Sequence, residues 1–490
     1  MASRPVSRAL RRSPSLLAVL AIGGALPAAA HATAPSGGHR YPRMSARVAE
    51  PWASGFYIRG GGDGHGIGLS QYGTLGYAEH GWSYQRILAH YYEGTSLGSV
   101  SPSDIIRVLL KDGPATFSGA DQAGSKTLKP GTSYTVHALS SGKLALVAAG
   151  STKPLASFSP PLTVSGPGPL TLSGLGQYRG EFVFRPDGSG AVQTVNALDI
   201  EDYVRGVVAA EMPASWPAQA LRAQAVAART YALTSGAAGA TFDVYSDTRS
   251  QMYGGVAAET PATDAAVTAT RGQVVTYQGV PVVTYFFSSS GGHTESVQNV
   301  WLGSSPEPWL RGVPDPYDAA GGNPNHRWAY SLSLSAAKRK LAGLLKGRLV
   351  GIRVIKYGVS PRIVEAAVVG TRGSTEVSGP QLQQDFGLMS TYMAFTTVSV
   401  HGLYSAPRNG GSSTGGASAG AGPIGTRFLV GRVYPTRRGV RVLIQSLEHG
   451  WRTTGRVRTV RGGQFRARVA GPGRYRVKYG GVGGPAITIR

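Results

Sequence analysis

The residue best placed for acid–base chemistry is a glutamate, Glu211, at a predicted corner between two helices. Pro213 ends the first helix two residues later, so the carboxylate lies at the negative end of that helix. The apolar residues Met212 and Trp216 are close to it in sequence. Both surroundings disfavour the charged form, so we expect a raised pKa, as a general acid requires. An inert glutamate at a helix end fits the spacing as well.

Two helices must position this corner. Asp199 can cap the first helix, and the apolar residues at 204, 207 and 208 share one of its faces. Pro217 falls in the first turn of the second helix, where a missing N–H costs little. That helix is alanine-rich from 218 to 232 and can therefore pack closely against its neighbours.

A glycine-rich run at residues 60–73 is the second candidate for ligand contact. Its glycines allow positive φ angles and a close approach of the backbone to a ligand. His65 and Gln71 can then hydrogen-bond hydroxyl or amide groups of that ligand. A tight structural turn in which His65 only packs is the alternative.

Several long motifs occur in the order typical of one family. The chain resembles the SpoIID/LytB family (stage II sporulation protein D and amidase enhancer), and the matching segments are 202–213, with its Glu-Met-Pro ending, 221–232, 246–255, 285–295 and 313–318. The glycine-rich run and residues 87–95 are similar to the family's glycine–histidine motif. That motif usually closes the domain, whereas here it comes first, so we interpret it as permuted, with residues 54–97 docking where the C-terminal segment would lie.

The resemblance implies a lytic transglycosylase that cleaves MurNAc–GlcNAc linkages of peptidoglycan, with Glu211 as its acid. The muramic 6-hydroxyl attacks its own anomeric carbon, so one carboxylate can serve as acid and then as base. Glu295 and Asp315 remain candidates for a second role. A non-catalytic amidase enhancer that binds the wall is the alternative, with an N-acetylmuramoyl-L-alanine amidase as partner. The substrate-binding residues that the resemblance implies are His65, Ser70, Gln71, Gln224, Arg229, Ser290, His293 and Glu295.

Other chemistries are disfavoured by the residues. The serines at 288–290 lack the G-x-S-x-G context of a serine hydrolase. Some family members bind zinc through cysteines near 246–250, but this chain has serines and Arg249 there, so we expect no metal and no cofactor. Trp216, Trp301 and Trp309 are candidate sugar-stacking platforms, although each also fits a core position.

The N-terminus is typical of an export signal, with a basic start, an apolar run from 16 to 26 and small residues after it. We expect a secreted, wall-associated protein on the outer side of the cytoplasmic membrane; an uncleaved anchor is the alternative. The chain has no cysteine, so its domains must hold together by core burial. Its charge is +24, and residues 426–490 hold 15 basic residues against one acid. This field favours anionic wall polymers as partners over nucleic acid, because an exported chain meets the wall first.

The predicted fold class is α+β. A signal peptide (1–34) and a leader (35–53) precede a SpoIID-like mixed domain at 54–404. That domain contains the permuted segment (54–97), a β-rich part (104–198) and a helical and mixed part (199–400). A flexible linker at 405–425 leads to a small, basic, Ig-like β-sandwich at 426–490, expected from alternating apolar and basic residues.

Overall fold

The computed structural model describes residues 52–187, 189–236, 241–405, 426–436 and 438–490. Helix and strand contents of 21% and 41% confirm the α+β class. The predicted signal peptide, residues 35–51 of the leader and residues 406–425 of the linker lie outside the described part. No helix in the described ranges combines the length and the apolar character needed to cross a membrane.

The N-terminal segment forms two helices after a glycine-rich loop. Ser70 and Ser83 cap these helices with their hydroxyls, which accept from the backbone N–H of Gly73 and Arg86. Gly81 separates the helices with a φ of 79°. The elements are β1 (Ala53–Gly60), β2 (Leu69–Ser70), α1 (Gln71–Glu79), α2 (Tyr84–Tyr91) and β3 (Ser96–Ser99).

Residues 105–199 form two antiparallel sheets, as the alternating apolar pattern predicts. The strand orders are β4-β15-β14-β11-β6-β7 and β10-β9-β8-β5-β12-β13. Phe117, Phe182 and Phe184 are fully buried in the core that these sheets share with the helices. The strands are β4 (Ile105–Asp112), β5 (Ala115–Ser118), β6 (Gln122–Ala123), β7 (Lys126–Thr127), β8 (Tyr134–Ala138), β9 (Leu144–Ala148), β10 (Pro154–Phe158), β11 (Leu162–Ser165), β12 (Leu170–Leu172), β13 (Gly176–Tyr178), β14 (Glu181–Pro186) and β15 (Val192–Asp199).

The helical corner has the predicted form. Helix α3 (Ile200–Glu211) ends before Pro213, and α4 (Ala218–Thr234) follows it. The alanine face of α4 is buried against α1, α2, α3 and α5 (Pro261–Ala269). Asp199 is the N-cap residue of α3, but its side chain makes no capping hydrogen bond. The predicted side-chain cap is therefore wrong, and the backbone N–H of Ile200 bonds instead to the carbonyl of Asp104.

The mixed part continues from the corner and ends in a long strand. Strand β1 lies between β20 and β24, pairing Ser54 with Ser399 and Gly60 with Met393. The N-terminal segment is thus built into the sheet of the mixed part. The elements are β16 (Val244–Tyr245), β17 (Gln273–Tyr277), β18 (Val280–Pro281), β19 (Phe286–Phe287), α6 (Val297–Val300), β20 (Trp328–Ser333), α7 (Leu334–Lys340), β21 (Leu349–Tyr357), β22 (Ile363–Gly370), β23 (Gly373–Ser378), α8 (Gly379–Phe386) and β24 (Met393–Ser405), with 3-10 turns at Val256–Ala258, Ala320–Gly322 and Ala342–Leu344.

In the described residues from 426 to 490, the regular elements are strands and a short 3-10 turn, Arg461–Gly463. Strand β25 pairs with β24 along its whole length, so the sheet order is β20-β1-β24-β25-β28. A second sheet has the order β27-β26-β29-β30, with β31 on β29, and Val398 and Val400 of β24 share its core. The strands are β25 (Thr426–Tyr434), β26 (Arg441–Leu447), β27 (Trp451–Arg458), β28 (Gln464–Val469), β29 (Gly473–Tyr479), β30 (Val482–Gly483) and β31 (Ile487–Ile489).

Candidate functional site

Glu211 is the last residue of α3, and its carboxylate is held from two separate segments. Oε1 accepts a hydrogen bond of 2.8 Å from the backbone N–H of Met252, and Oε2 accepts one of 3.0 Å from Nε2 of Gln71. Burial raises the pKa of Glu211, while these two hydrogen bonds act in the opposite direction. The side chain is only partly buried. Glu211 can therefore hold a proton and still meet a ligand, as an acid catalyst must.

Gln71 reaches Glu211 because the glycine-rich loop is fixed against the mixed part. Strand β2 pairs in parallel with β19, joining Leu69 to Phe286. The backbone N–H of Tyr72 then donates to the carbonyl of Ser288 at 3.0 Å. Gln71 opens α1 directly after this pairing and is 7% exposed. The structure thus brings the glycine-rich run and the Glu-Met-Pro corner together, and Gln71 positions the carboxylate.

The backbone N–H of Met252, which donates to Glu211, belongs to a loop that is hydrogen-bonded to α3 and α4. Nε2 of the buried Gln251 donates to the hydroxyl of Tyr203 at 3.1 Å and to the carbonyl of Ala228 at 3.3 Å. The Tyr253 hydroxyl donates to Oδ1 of Asn196 at 2.9 Å. These contacts fix the direction of the Met252 N–H. The amino-acid sequence does not indicate this contact, because a backbone donor leaves no residue-type signal.

His65 lies in the glycine-rich loop with both ring nitrogens in use. Nδ1 accepts from the N–H of Ile67 at 3.0 Å, and Nε2 lies 3.1 Å from the carbonyl of Phe286, to which it donates. Burial, followed by the nearby Arg362 charge, lowers the pKa of His65 to about 4, so the ring is neutral at pH 7. These bonds leave neither nitrogen available to a sugar in this conformation and favour the packing alternative.

Ser70 and Ser290 belong to a buried network behind the site. The Ser70 hydroxyl donates to Oδ1 of Asp318 at 3.2 Å, and the Ser290 hydroxyl donates to Oδ2 of Asp315 at 2.7 Å. Tyr91 donates to the other oxygen of Asp315 at 3.0 Å. Burial and the Asp318 charge raise the pKa of Asp315 to about 7. The network ties the N-terminal segment to residues 289–326, and its members are fully buried, which gives them a structural role.

Glu295 is a fully buried carboxylate with five hydrogen-bond donors. These donors are the backbone N–H groups of Ser296, Val359 and Ser360 and the side chains of Asn299 and Ser360. The Nδ1 of His293 donates to the carbonyl of Thr294 at 2.7 Å. Glu295 therefore joins residues 295–299 to the turn after β21 through these hydrogen bonds.

Arg229 and Gln224 both lie fully buried on α4. Arg229 forms a two-pronged ion pair with Glu201, with N–O distances of 2.9 and 2.8 Å, and also donates to the carbonyl of Gln273. The side-chain nitrogen and oxygen of Gln224 have no hydrogen-bond partner among the residues that the structure describes. Arg229 therefore fastens α4 to α3 and β17, and its geometry does not point to substrate contact.

Comparisons with known proteins find similarity over part of the chain. A family model for stage II sporulation protein matches residues 188–277, which include Glu211 and Met252. Stage II sporulation protein D of Bacillus subtilis is 30% identical over 41% of this chain and 61% of its own length. The amidase enhancer of the same organism is 39% identical over 29% of this chain and 19% of its own length. An uncharacterised protein of Brachyspira hyodysenteriae is 40% identical over 35% of this chain and 46% of its own length.

Over residues 188–277 the chain resembles the SpoIID/LytB family, as these matches show. It spans between a fifth and three fifths of the length of these curated relatives. The predicted relationship is thereby confirmed.

Proposed function

We propose that the protein is a lytic transglycosylase acting on the glycan strands of peptidoglycan. The observation that carries the proposal is the Glu211 carboxyl group, whose pKa is raised by burial while only two donors hold it. A protonated Glu211 can donate to the glycosidic oxygen as the C–O bond breaks. The resulting carboxylate then accepts the proton of the muramic 6-hydroxyl, which closes the anhydro ring.

One carboxylate is sufficient for this reaction because the nucleophile belongs to the substrate. Hydrolysis would need a second carboxylate to activate water. The two other candidates, Glu295 and Asp315, are fully buried and hydrogen-bonded within the protein. Their environment supports transfer within the substrate over hydrolysis.

The experiment that tests this reaction is digestion of peptide-free glycan strands in water enriched in oxygen-18, followed by mass spectrometry. We expect anhydro-muramic ends that carry no solvent oxygen. Reducing ends labelled with oxygen-18 would identify a hydrolase instead and overturn the proposed mechanism.

The second candidate function is amidase enhancement without catalysis, which the similarity to the amidase enhancer favours. In that case Glu211 contributes to binding only. The purified protein would release no anhydro product, and it would raise the rate of a purified N-acetylmuramoyl-L-alanine amidase on whole walls. Substitution of Glu211 would leave that stimulation in place.

The order of the segments is also part of the proposal. We infer that residues 54–97 are the family's closing segment in a permuted position. Two contacts support this: β1 pairs with β24, and Gln71 reaches Glu211. A chain with residues 52–97 moved behind residue 405 through a flexible linker should fold and keep its activity. Failure of this rearranged chain to fold would contradict the inference.

We further propose that the exported protein binds anionic wall polymers through the outer face of its C-terminal sheet. Arg441 of β26 lies directly opposite Arg458 of β27. Two residues further along β26, Leu443 lies opposite Lys478 of β29. Like charges placed opposite each other destabilise a sheet, so an external anion is a reasonable counterpart. Reversing the charges of Arg441 and Arg458 should weaken retention on teichoic-acid-bearing walls, and retention equal to the parent's would contradict the proposal. Deletion of 426–490 is a poor test, because it would expose Val398 and Val400.

A further inference from the structure

Two groups of aromatic rings, each held together by ring contacts, are connected to residues that hold Glu211. In the first group, the rings of Tyr72 and Trp216 have centroids 5.3 Å apart. In the second group, the ring of Tyr285 lies 5.8 Å from that of Tyr231 and 4.5 Å from that of Trp301. Except for the buried Tyr231, these rings are partly exposed, and Trp301 is 38% exposed.

Each group is linked to a segment that donates a hydrogen bond to Glu211. Tyr72 directly follows Gln71, which donates to Glu211. On the other side, the loop that carries the Met252 N–H also touches the second group, because Ser250 lies beside the Tyr231 hydroxyl. One group is therefore connected to Gln71 and the other to the loop of Met252, the two donors to Glu211.

The third tryptophan of this region shows what a packing role looks like. Trp309 is partly buried, its indole N–H donates to the carbonyl of Val283 at 3.0 Å, and its ring lies on Tyr277. The indole N–H of Trp301 makes no hydrogen bond to the described residues, and its ring is inclined by 72° to that of Tyr285 and by 45° to that of His65. Large aromatic faces beside a polar reactive group are typical of ligand sites.

We propose that these two groups of rings form a saccharide-binding track, on which the apolar faces of successive pyranose rings stack on either side of Glu211. The track rests on the proposed action on glycan strands and adds where the strand lies. Tyr72 and Trp216 hold the sugars next to the cleaved bond. Trp301 lies at the far end of its group and contacts only a strand long enough to reach it.

The test is binding of peptide-free glycan strands of defined length to the full chain carrying Glu211→Gln, which prevents turnover. In this background, Trp301→Ala should weaken the binding of long strands about tenfold and leave the shortest bound strands unaffected. Trp216→Leu should weaken the binding of both, and Trp216→Phe should restore most of it. Trp52→Ala is the matched control, because Trp52 is 59% exposed and its ring lies 4.0 Å from that of His401, in the five-stranded sheet.

Long-strand binding by Trp301→Ala equal to that of the Trp52→Ala control would overturn the track. An equal loss at every strand length would overturn the position of Trp301 at its far end. The proposed reaction is tested separately, by whether the parent protein forms anhydro ends. If it forms none while Trp301→Ala still shows the length-dependent loss of binding, the track stands and the proposed reaction is wrong.

Discussion

Glu211 and Glu295 lie in two segments that resemble motifs of one family, and their surroundings are opposite. Glu211 ends a helix, is partly exposed and accepts two hydrogen bonds. Glu295 is fully buried and accepts five. The glutamate side chain is therefore a candidate acid at position 211 and a structural residue at position 295.

The difference shows that the number of donors indicates a carboxylate's role better than its presence in a motif. A carboxylate with every lone pair occupied cannot take up a proton without leaving donors unsatisfied, which costs about 1–3 kcal/mol for each buried group. A carboxyl group whose pKa is raised by burial, and which is partly exposed, can exchange a proton with a ligand.

The largest expected effect is on stability, at Glu295. In Glu295→Gln, an amide nitrogen meets donors that had bonded to a carboxylate, so we expect the free energy of unfolding to fall by about 3 kcal/mol or more. Urea denaturation measures this change. Glu376→Gln, on the exposed side of β23, is the control and should stay within about 0.5 kcal/mol of the parent. Equal free energies of unfolding for the two variants would contradict the structural role of Glu295.

The next effect concerns Asp315, whose pKa is also raised although no ligand can reach it. The folded protein holds a proton on Asp315 up to about pH 7, whereas the unfolded chain loses it near the usual value of 3.8. Stability therefore falls as pH rises through this window, on the order of 2 kcal/mol between pH 5 and pH 8. Asp315→Asn should flatten that dependence. If the free energy of unfolding of Asp315→Asn depends on pH as it does in the parent protein, another group causes that dependence.

The smallest effect is on the rate, at Gln71. Gln71→Leu removes a donor that favours the charged form of Glu211, so the pKa of Glu211 should rise further. The rate of glycan cleavage should fall about tenfold as the carboxylate loses its position, and the loss of activity at high pH should begin at a higher pH. Gln177→Leu, on an exposed position of β13, is the control. An alkaline limb that moves to lower pH would contradict the positioning role of Gln71.

Much of the corner could be predicted from the sequence, because its determinants are local. Pro213 and the alanine run predicted α3 and α4 to within a few residues. The contact between Gln71 and Glu211 joins residues 140 apart, and only the family motifs indicated it. Donation by the Met252 backbone depends on tertiary packing and could not be predicted.

The C-terminal region shows the same limit. Alternating residues predicted its strands, but the pairing of β25 with β24 depends on partners that local pattern does not specify. The residue type of His65 leaves ligand contact and packing open, and its two hydrogen bonds favour packing. The Ig-like topology and the domain boundaries stay predictions.

The most direct measurement compares Glu211→Gln with Glu295→Gln on peptide-free glycan strands, with anhydro-muramic ends counted by mass spectrometry and unfolding followed in parallel. The account predicts that Glu211→Gln keeps the parent's stability and forms no anhydro ends. It predicts that Glu295→Gln is destabilised and still forms them under conditions in which it is folded. Full product formation by Glu211→Gln would contradict the assignment of Glu211 as the catalytic acid.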